Sequence, residues 1–309
     1  MTPFSFNLSD FVFVWWGLLY EAMPFVAVGA LLSGFVERCL SRRTVVRFFP
    51  RRRAVGIAAC AGLGLLFPMC ECGIVPVVRR LVRKGVPVSC AVTYMLASPI
   101  INPLVIVSTV VAFQRTGGWM VAALRVGMGY VVAVALGVIV WKLLGERRVL
   151  LRQPRSADDG ADQDAHRGGL VADVLVHAAR DFVEIGAILV AGTAIAALVN
   201  SGFHRAAMEP FAQNPLTAVT SMSALAVGLN LCSEADAFVA ASFYAFGLPA
   251  KMAFLVLGPM VDVKLILMYT TIFRPKAIVV ISGLTALLVA VLCATGTLWM
   301  GAVVSAGTP

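Results

Sequence analysis

The sequence predicts an all-α polytopic membrane protein made of two repeated halves. Each half is expected to hold three spans plus a broken, re-entrant helical segment, with the halves arranged as an inverted repeat. Three observations carry this expectation. Of 309 residues, 60% are hydrophobic and 13% charged, and mean hydropathy is +0.91; a soluble domain averages about 45–50% apolar and about 25% charged residues. The basic residues behind the net charge of +9 sit in short segments beside apolar runs, as cytoplasmic loops do. Residues able to carry chemistry recur at a nearly constant offset between 1–145 and 170–309, on either side of a polar linker at 146–169. Nucleic acid is excluded as a partner, because no basic face with stacking or base-reading residues accompanies the charge.

A helix crossing a bilayer needs roughly 20 apolar residues, and residues 11–36 supply the first. Residues 1–10 carry no Lys or Arg, so the basic region of a secretory signal is missing and the first span is expected to stay in the mature chain. Arg38, Arg42, Arg43, Arg47 and Arg51 to Arg53 follow. They place the end of this span in the cytoplasm and the N-terminus outside. Residues 54–78 are apolar except for Cys70-Glu71-Cys72, and Arg79, Arg80, Arg83 and Lys84 come next. With both flanks basic, a simple span would leave one Arg cluster outside. A hairpin of two half-helices meeting at 68–73 puts both inside, provided protein or a water-filled cavity surrounds the irregular backbone. The alternative is eight full spans.

The next span, 88–113, contains Ser98-Pro99-Ile100-Ile101-Asn102-Pro103. Its prolines remove backbone donors and disfavour helix before them, which predicts a kink or break. Residues 119–141 return to Lys142, Arg147, Arg148, Arg152 and Arg155 inside. The stretch 146–169, with Pro154 and four Asp between 158 and 164, reads as a flexible cytoplasmic linker, and His166 within it as a solvated side chain. Residues 170–199 run outward. Asp173, His177, Arg180 and Asp181 in the first half of that run read as an amphipathic cytoplasmic extension laced by ion pairs. Segments 215–231 and 235–246, broken at Cys232-Ser233-Glu234, are followed by spans at 249–272 and 277–303. The second broken segment is flanked only by Arg205 and Lys251, which fits the outside. Arg125 is expected near the outer interface, snorkelling.

The repeat sharpens this layout. A shift of 162 carries Cys70 to Cys232, Gly85 to Gly247 and Pro87 to Pro249; a shift of 163 carries Glu21 to Glu184 and Gly29 to Gly192; and a shift of 160 carries Pro99 to Pro259 and Asn102 to Asp262. If the broken segments are hairpins, each half crosses three times and the second is inverted. Inverted repeats with discontinuous helices meeting at the midplane recur among secondary transporters.

Cys70, Cys72 and Cys232 converge if the two breaks meet. Thiolates select copper(I), zinc and other thiophilic species, and three thiols could hold a trivalent arsenical by the same preference. The other reading of these cysteines is soft packing. Of the seven cysteines, Cys39, Cys60, Cys90 and Cys293 read as small core residues, and no disulfide framework is implied. Glu71, Glu234 and Asp236 sit beside the thiols, while Asp262 and Lys264 lie in the second Pro-interrupted span. Intramembrane carboxylates mark functional sites by default, because they are costly. They either couple protons or ions to substrate movement or satisfy one another structurally. Glu21 and Glu184 carry the same pair of readings. Ser98 and Asn102 present polar atoms to a pathway or cap a kink. No phosphate-binding Gly-x-x-x-x-Gly-Lys loop, paired-His helix or nucleophile elbow occurs, so the chain is not expected to be an enzyme and no cofactor is expected.

At Cys70-Glu71-Cys72-Gly73-Ile74-Val75-Pro76-Val77-Val78-Arg79-Arg80-Leu81, then Gly85-Val86-Pro87 and Ser98 to Pro103, the chain resembles a family of bacterial predicted permeases. Cys232-Ser233-Glu234-Ala235-Asp236-Ala237-Phe238 and Gly258-Pro259-Met260-Val261-Asp262 resemble it as well. That family includes the organoarsenical efflux permease of arsenic-resistance operons and relatives assigned to copper or zinc efflux. The resemblance implies an inner-membrane permease, usually described with eight membrane segments, and leaves room for a second membrane protein as partner. Where relatives often have Cys-Ser-Cys-Gly, Glu71 stands here; a carboxylate there could favour a divalent cation over a neutral arsenical. The expectation is efflux of a thiophilic metal or metalloid through the lipid bilayer, with Cys70, Cys72 and Cys232 as metal ligands. A membrane thiol oxidoreductase cycling Cys70 and Cys72, or a subunit without transport of its own, is the alternative.

Overall fold

A computed structural model describes residues 8–39, 52–66, 69–145, 149–150, 170–201 and 211–307. Among these residues there are twelve α-helices and no strand beyond an isolated bridge between Leu150 and Phe273. The first half holds α1 (Leu8–Cys39), α2 (Arg53–Leu66), α3 (Glu71–Arg83), α4 (Val88–Ala97), α5 (Pro103–Ala112) and α6 (Gly118–Ile139, continued by a π turn over Val140–Leu144). The second half repeats the series as α7 (Leu170–Ser201), α8 (Pro215–Leu229), α9 (Asp236–Ser242), α10 (Leu248–Leu257), α11 (Val263–Tyr269) and α12 (Pro275–Gly307). Each half therefore runs long helix, broken pair, broken pair, long helix.

The four long helices are apolar enough to cross a membrane, which with the family resemblance makes this an all-α polytopic membrane protein. The others are too short to cross alone: a ten-residue helix such as α4 is about 15 Å long, and a span needs roughly 20 residues. Local chemistry sets the breaks. Asn102 caps α5, its side chain accepting from Leu104 N at 3.0 Å, and Asp262 caps α11 by accepting from Leu265 N at 2.6 Å. Asn230 ends α8 in the left-handed region at φ 50°, where Asn is tolerated. The second arm of the broken segment expected over 235–246 is shorter, α9 covering only 236–242, and the Pro-interrupted span expected over 249–272 is broken at Gly258 to Asp262.

Neighbour relations fix how these pieces run. Ile57 of α2 and Thr93 of α4 converge on Gly137, and Gly64 packs on the backbone of Ser98 and Ile101, so α2 and α4 lie side by side in the same direction. The chain then doubles back through α3. Gly73 sits against Gly29, Pro76 against Ser33, and Arg80 and Lys84 against Glu37. A Cβ on Gly29 would overlap the Gly73 carbonyl, so the closest approach of α1 and α3 depends on both residues being glycine. Consequently α2 starts and α3 finishes at the same end of the bundle. The span formed by α4 and α5 lies antiparallel to α6, with Ile100 at Gly129 and Thr109 at Arg125.

The second half behaves alike: Ala226 of α8 packs at Gly258, and α9 leads within a few residues into α10. The halves join chiefly where α1 lies against α7, antiparallel, with Arg38 paired to Asp173 at 3.3 Å. The described part of the linker, Val149 and Leu150, is pinned to the turn after α11 by the Arg274 N to Val149 O bond of 3.0 Å; the rest of 146–169, including His166, lies outside the described residues.

Candidate functional site

The breaks of both halves meet in the interior. The start of α3 brings Cys70, Glu71 and Cys72; the loop between α8 and α9 brings Cys232, Ser233 and Glu234; and α11 brings Lys264. Glu71, 1% exposed, accepts from Lys264 Nζ at 3.0 Å through Oε1 and from Ser233 Oγ at 3.0 Å through Oε2. Lys264 Nζ also lies 3.4 Å from Asp262 Oδ2 and donates to the Asn230 carbonyl at 3.3 Å. Asn230 completes the frame, because its Oδ1 accepts from Lys264 N at 3.0 Å. Two buried carboxylates thus face one buried ammonium. Such a group survives burial only with partners of this geometry, since the desolvation penalty otherwise exceeds the Coulombic gain.

Beside the ion pair lies a small cavity of about 10 Å³, lined by Leu18, Glu21, Ala22, Cys70, Glu71, Cys72, Thr193, Cys232 and Lys264. That volume is of the size one water requires. Four of the elements that wall it, α1, α3, α7 and α11, are long helices or half-helices, and the fifth is the Cys232 loop. Cys232 Sγ donates to Glu234 Oε2 at 3.4 Å. Although Cys70, Cys72 and Cys232 share the cavity, no group of three or more His, Cys, Asp or Glu side chains among the described residues stands in metal-holding geometry.

The remaining candidates from the sequence lie elsewhere. Asp236 pairs with Arg125 at 2.6 Å, and Arg125 also donates to the Ser233 carbonyl at 3.2 Å and to Thr109 Oγ1 at 2.9 Å. Arg125 is therefore not a snorkelling interfacial residue but a buried strut, 1% exposed, linking α6 and α5 to the second break. Ser98 and Asn102 are buried at the α4/α5 break, outside the lining of the cavity. Glu184 is half-exposed and pairs with Arg79 at 2.7 Å, so its repeat mate Glu21 lines the cavity whereas Glu184 does not.

A second polar cluster, expected to be an amphipathic cytoplasmic extension laced by ion pairs, is ion-paired but buried. Asp181 accepts from Arg80 Nε at 3.2 Å and Nη2 at 3.1 Å and from Ser33 Oγ at 2.6 Å, and Asp173 and His177 are buried on the same helix. The expectation failed because α7 packs along α1 at that depth, where Arg79 and Arg80 of α3 reach Glu184 and Asp181. Cys39, expected in the core, is exposed at the end of α1. Sequence reasoning also missed Asn230 and Thr193. An Asn where an apolar run stops signals a left-handed helix end; Thr193 gave no signal beyond being polar in an apolar run.

The sequence model of the predicted permease family designated ArsP_1 matches residues 8–297. The chain belongs to this family. It is 36% identical over 276 residues to UPF0718 protein YcgR of Bacillus subtilis, covering 88% of this chain and 91% of that protein. Similarity of the same order, 35% over 278 residues covering 89% and 91%, relates it to a Streptococcus mutans protein described as "Putative two-component membrane permease complex subunit". UPF0718 protein YraQ of Escherichia coli is 25% identical over 141 residues, 44% of this chain and 38% of that one. No solved structure matches. Family membership and the apolar helices together identify a multi-pass membrane permease.

Proposed function

We propose that this permease moves a thiophilic metal ion or metalloid out of the cell across the bacterial inner membrane, as a secondary transporter. Cys70, Cys72 and Cys232 are the substrate ligands. Glu71, Glu234, Ser98 and Asn102 contribute to binding, and Asp236, Asp262, Lys264, Glu21 and Glu184 couple protons or ions or hold the partners that do. The observation that carries this reading is the cavity itself, where thiols from the breaks of both halves share one wall with a Glu71–Lys264 pair joining those halves. Soft donors select soft ions, and discontinuous helices meeting between two repeats suit alternating access.

The contacts described above favour hairpins for α2/α3 and for α8/α9, and hence an inverted repeat: if α1 ends in the cytoplasm, α2/α3 opens there and α8/α9 opens outside. The three thiols are near one another but not yet a chelate. Binding then involves a small closure of the α3 and α8/α9 breaks around the guest, which must also compete with Lys264 for Glu71.

Everted membrane vesicles offered zinc, copper(I) or methylarsenite test the proposal. Accumulation of at least one, abolished in a Cys70→Ala/Cys72→Ala/Cys232→Ala variant, is expected; full transport by that variant rejects the site. A second reading, a subunit that transports only with a membrane partner, is favoured by the described role of the Streptococcus mutans relative. It predicts copurification with another membrane protein and no flux by the chain alone.

A further inference from the structure

The repeat relates α3 to α9 and α5 to α11, yet the α1/α7 pair treats these mates differently. Helix α3 packs along α1 and α11 along α7, whereas among the described residues neither α9 on α7 nor α5 on α1 shows comparable packing; α5 and α9 lie on one another instead. One contact shows the difference in atoms. Gly29 of α1 sits against the Gly73 carbonyl of α3. Its mate at the offset of 163, Gly192 of α7, sits against Lys264 of α11 and not against Ala235, the mate of Gly73 at the offset of 162.

The two engaged half-helices point the same way. From the cavity, α3 runs from Cys72 to Arg83 beside the end of α1, and α11 runs from Lys264 to a turn bonded to the linker through Arg274 N and Val149 O. The α1/α7 pair is therefore closed against the bundle on the linker side. On the other side Gly17, one turn before Glu21, has nothing within 4 Å of where its Cβ would stand. Ion pairs hold the closed side. Glu37 of α1 pairs with Arg80 at 3.5 Å and with Lys84 at 3.4 Å, Asp181 of α7 with Arg80 at 3.1 Å, Glu184 with Arg79 at 2.7 Å, and Arg38 with Asp173 at 3.3 Å. The repeat puts Ala241, Ser242 and Phe246 where Arg79, Arg80 and Lys84 stand, and Asn200 where Glu37 stands. Closure of the opposite side by these mates thus rests on neutral contacts alone.

We propose that the ion pairs tying α3 to α1 and α7 are a gate on the linker side of the cavity, the cytoplasmic side by the charge rule. When they part, the α1/α7 pair tilts away from α3 and α11 and closes on α9 and α5, so that the two halves exchange packing around a fixed site. The repeat makes both packings available to one chain, and charge pairs present on one side only set the balance between them. The inference rests on the permease reading for what passes the gate, but not for the motion itself.

Spin labels on purified, cysteine-free protein in detergent test the exchange. One label pair is placed at Phe35→Cys/Arg83→Cys and the other at its repeat mates, Leu198→Cys/Ala245→Cys; all four positions are exposed. Double electron–electron resonance should give a short distance for the first pair and a longer one for the second, although the repeat makes the pairs equivalent. Glu37→Gln/Glu184→Gln removes two partly exposed acids and leaves Asp181 on Arg80. A thermal melt checks its folding, and Glu37→Gln alone is the milder variant. Either should raise, severalfold in the double, a second population in which the first distance lengthens and the second shortens. A first distance that only broadens while the second stays fixed marks a static zipper and overturns the gate, as do equal distances in the parent. Exchange without flux of any thiophile in vesicles refutes the permease proposal and leaves the gate standing. Flux by the native chain, with distances that never exchange, does the reverse.

Discussion

Lys264 Nζ lies 3.0 Å from Glu71 Oε1, and this pair fastens the first break of one half to the second break of the other. Both residues are buried, so neither charge can be left alone cheaply. Replacing Glu71 by Gln keeps the shape and leaves Lys264 with Asp262. Removal of one partner from a buried pair costs about 3–5 kcal/mol, and a clear drop in melting temperature of the detergent-solubilised protein is expected. The triple variant Glu71→Gln/Asp262→Asn/Lys264→Met, which leaves no buried charge unpaired, should recover much of it. If the triple is less stable than the single, the cluster is not the tie described.

The bidentate contact of Arg80 with Asp181 makes a similar statement about α3 and α7. Asp181→Asn should lower stability by about 1.5–3 kcal/mol, the usual size for hydrogen bonds to charged groups. The same change at Asp10, in the exposed first turn of α1, should alter the melt by less than about 0.5 kcal/mol. Equal effects at the two positions would contradict the buried assignment.

Close backbone approach can be tested by adding one methyl group. At Gly29 a Cβ would run into the Gly73 carbonyl, whereas at Gly17 nothing stands within 4 Å. Gly29→Ala should reduce the yield of monodisperse protein and its melting temperature. Gly17→Ala should be neutral or slightly stabilising, because Ala favours helix by about 1 kcal/mol over Gly.

Opposite orientation of the two hairpins can be read by accessibility. Arg83, the last residue of α3, and Ala245, just beyond α9, are exposed. In a cysteine-free background, Arg83→Cys should react with an impermeant maleimide only from the cytoplasmic face and Ala245→Cys only from the outer face. Labelling of both from the same side would rule out the inverted repeat.

Much of the site was legible in the chain because the bilayer makes polar residues rare and therefore conspicuous. Glu71, Cys232, Asp262 and Lys264 stand out in apolar runs, and the offsets of 160 to 163 paired the two breaks before any coordinates. Arg125 was misjudged because an Arg near the end of a span looks the same whether it reaches lipid headgroups or a buried Asp236. Asp173 and Asp181 were misjudged because their spacing of three or four from basic residues suggested pairing along one helix, whereas the partners found, Arg38 and Arg80, belong to α1 and α3.

The sequence by itself determined the membrane class, the order of long and broken helices, and the residue types at each break, because hydropathy, proline and helix-capping chemistry act over a few neighbouring residues. Only the tertiary structure decided which polar atoms meet. It placed Lys264 on Glu71 and not on Glu234, and separated the cavity-lining Glu21 from the half-exposed Glu184. Those outcomes depend on how close two helix backbones can come and on which buried charge finds its counter-charge first, and no local pattern in the chain encodes either.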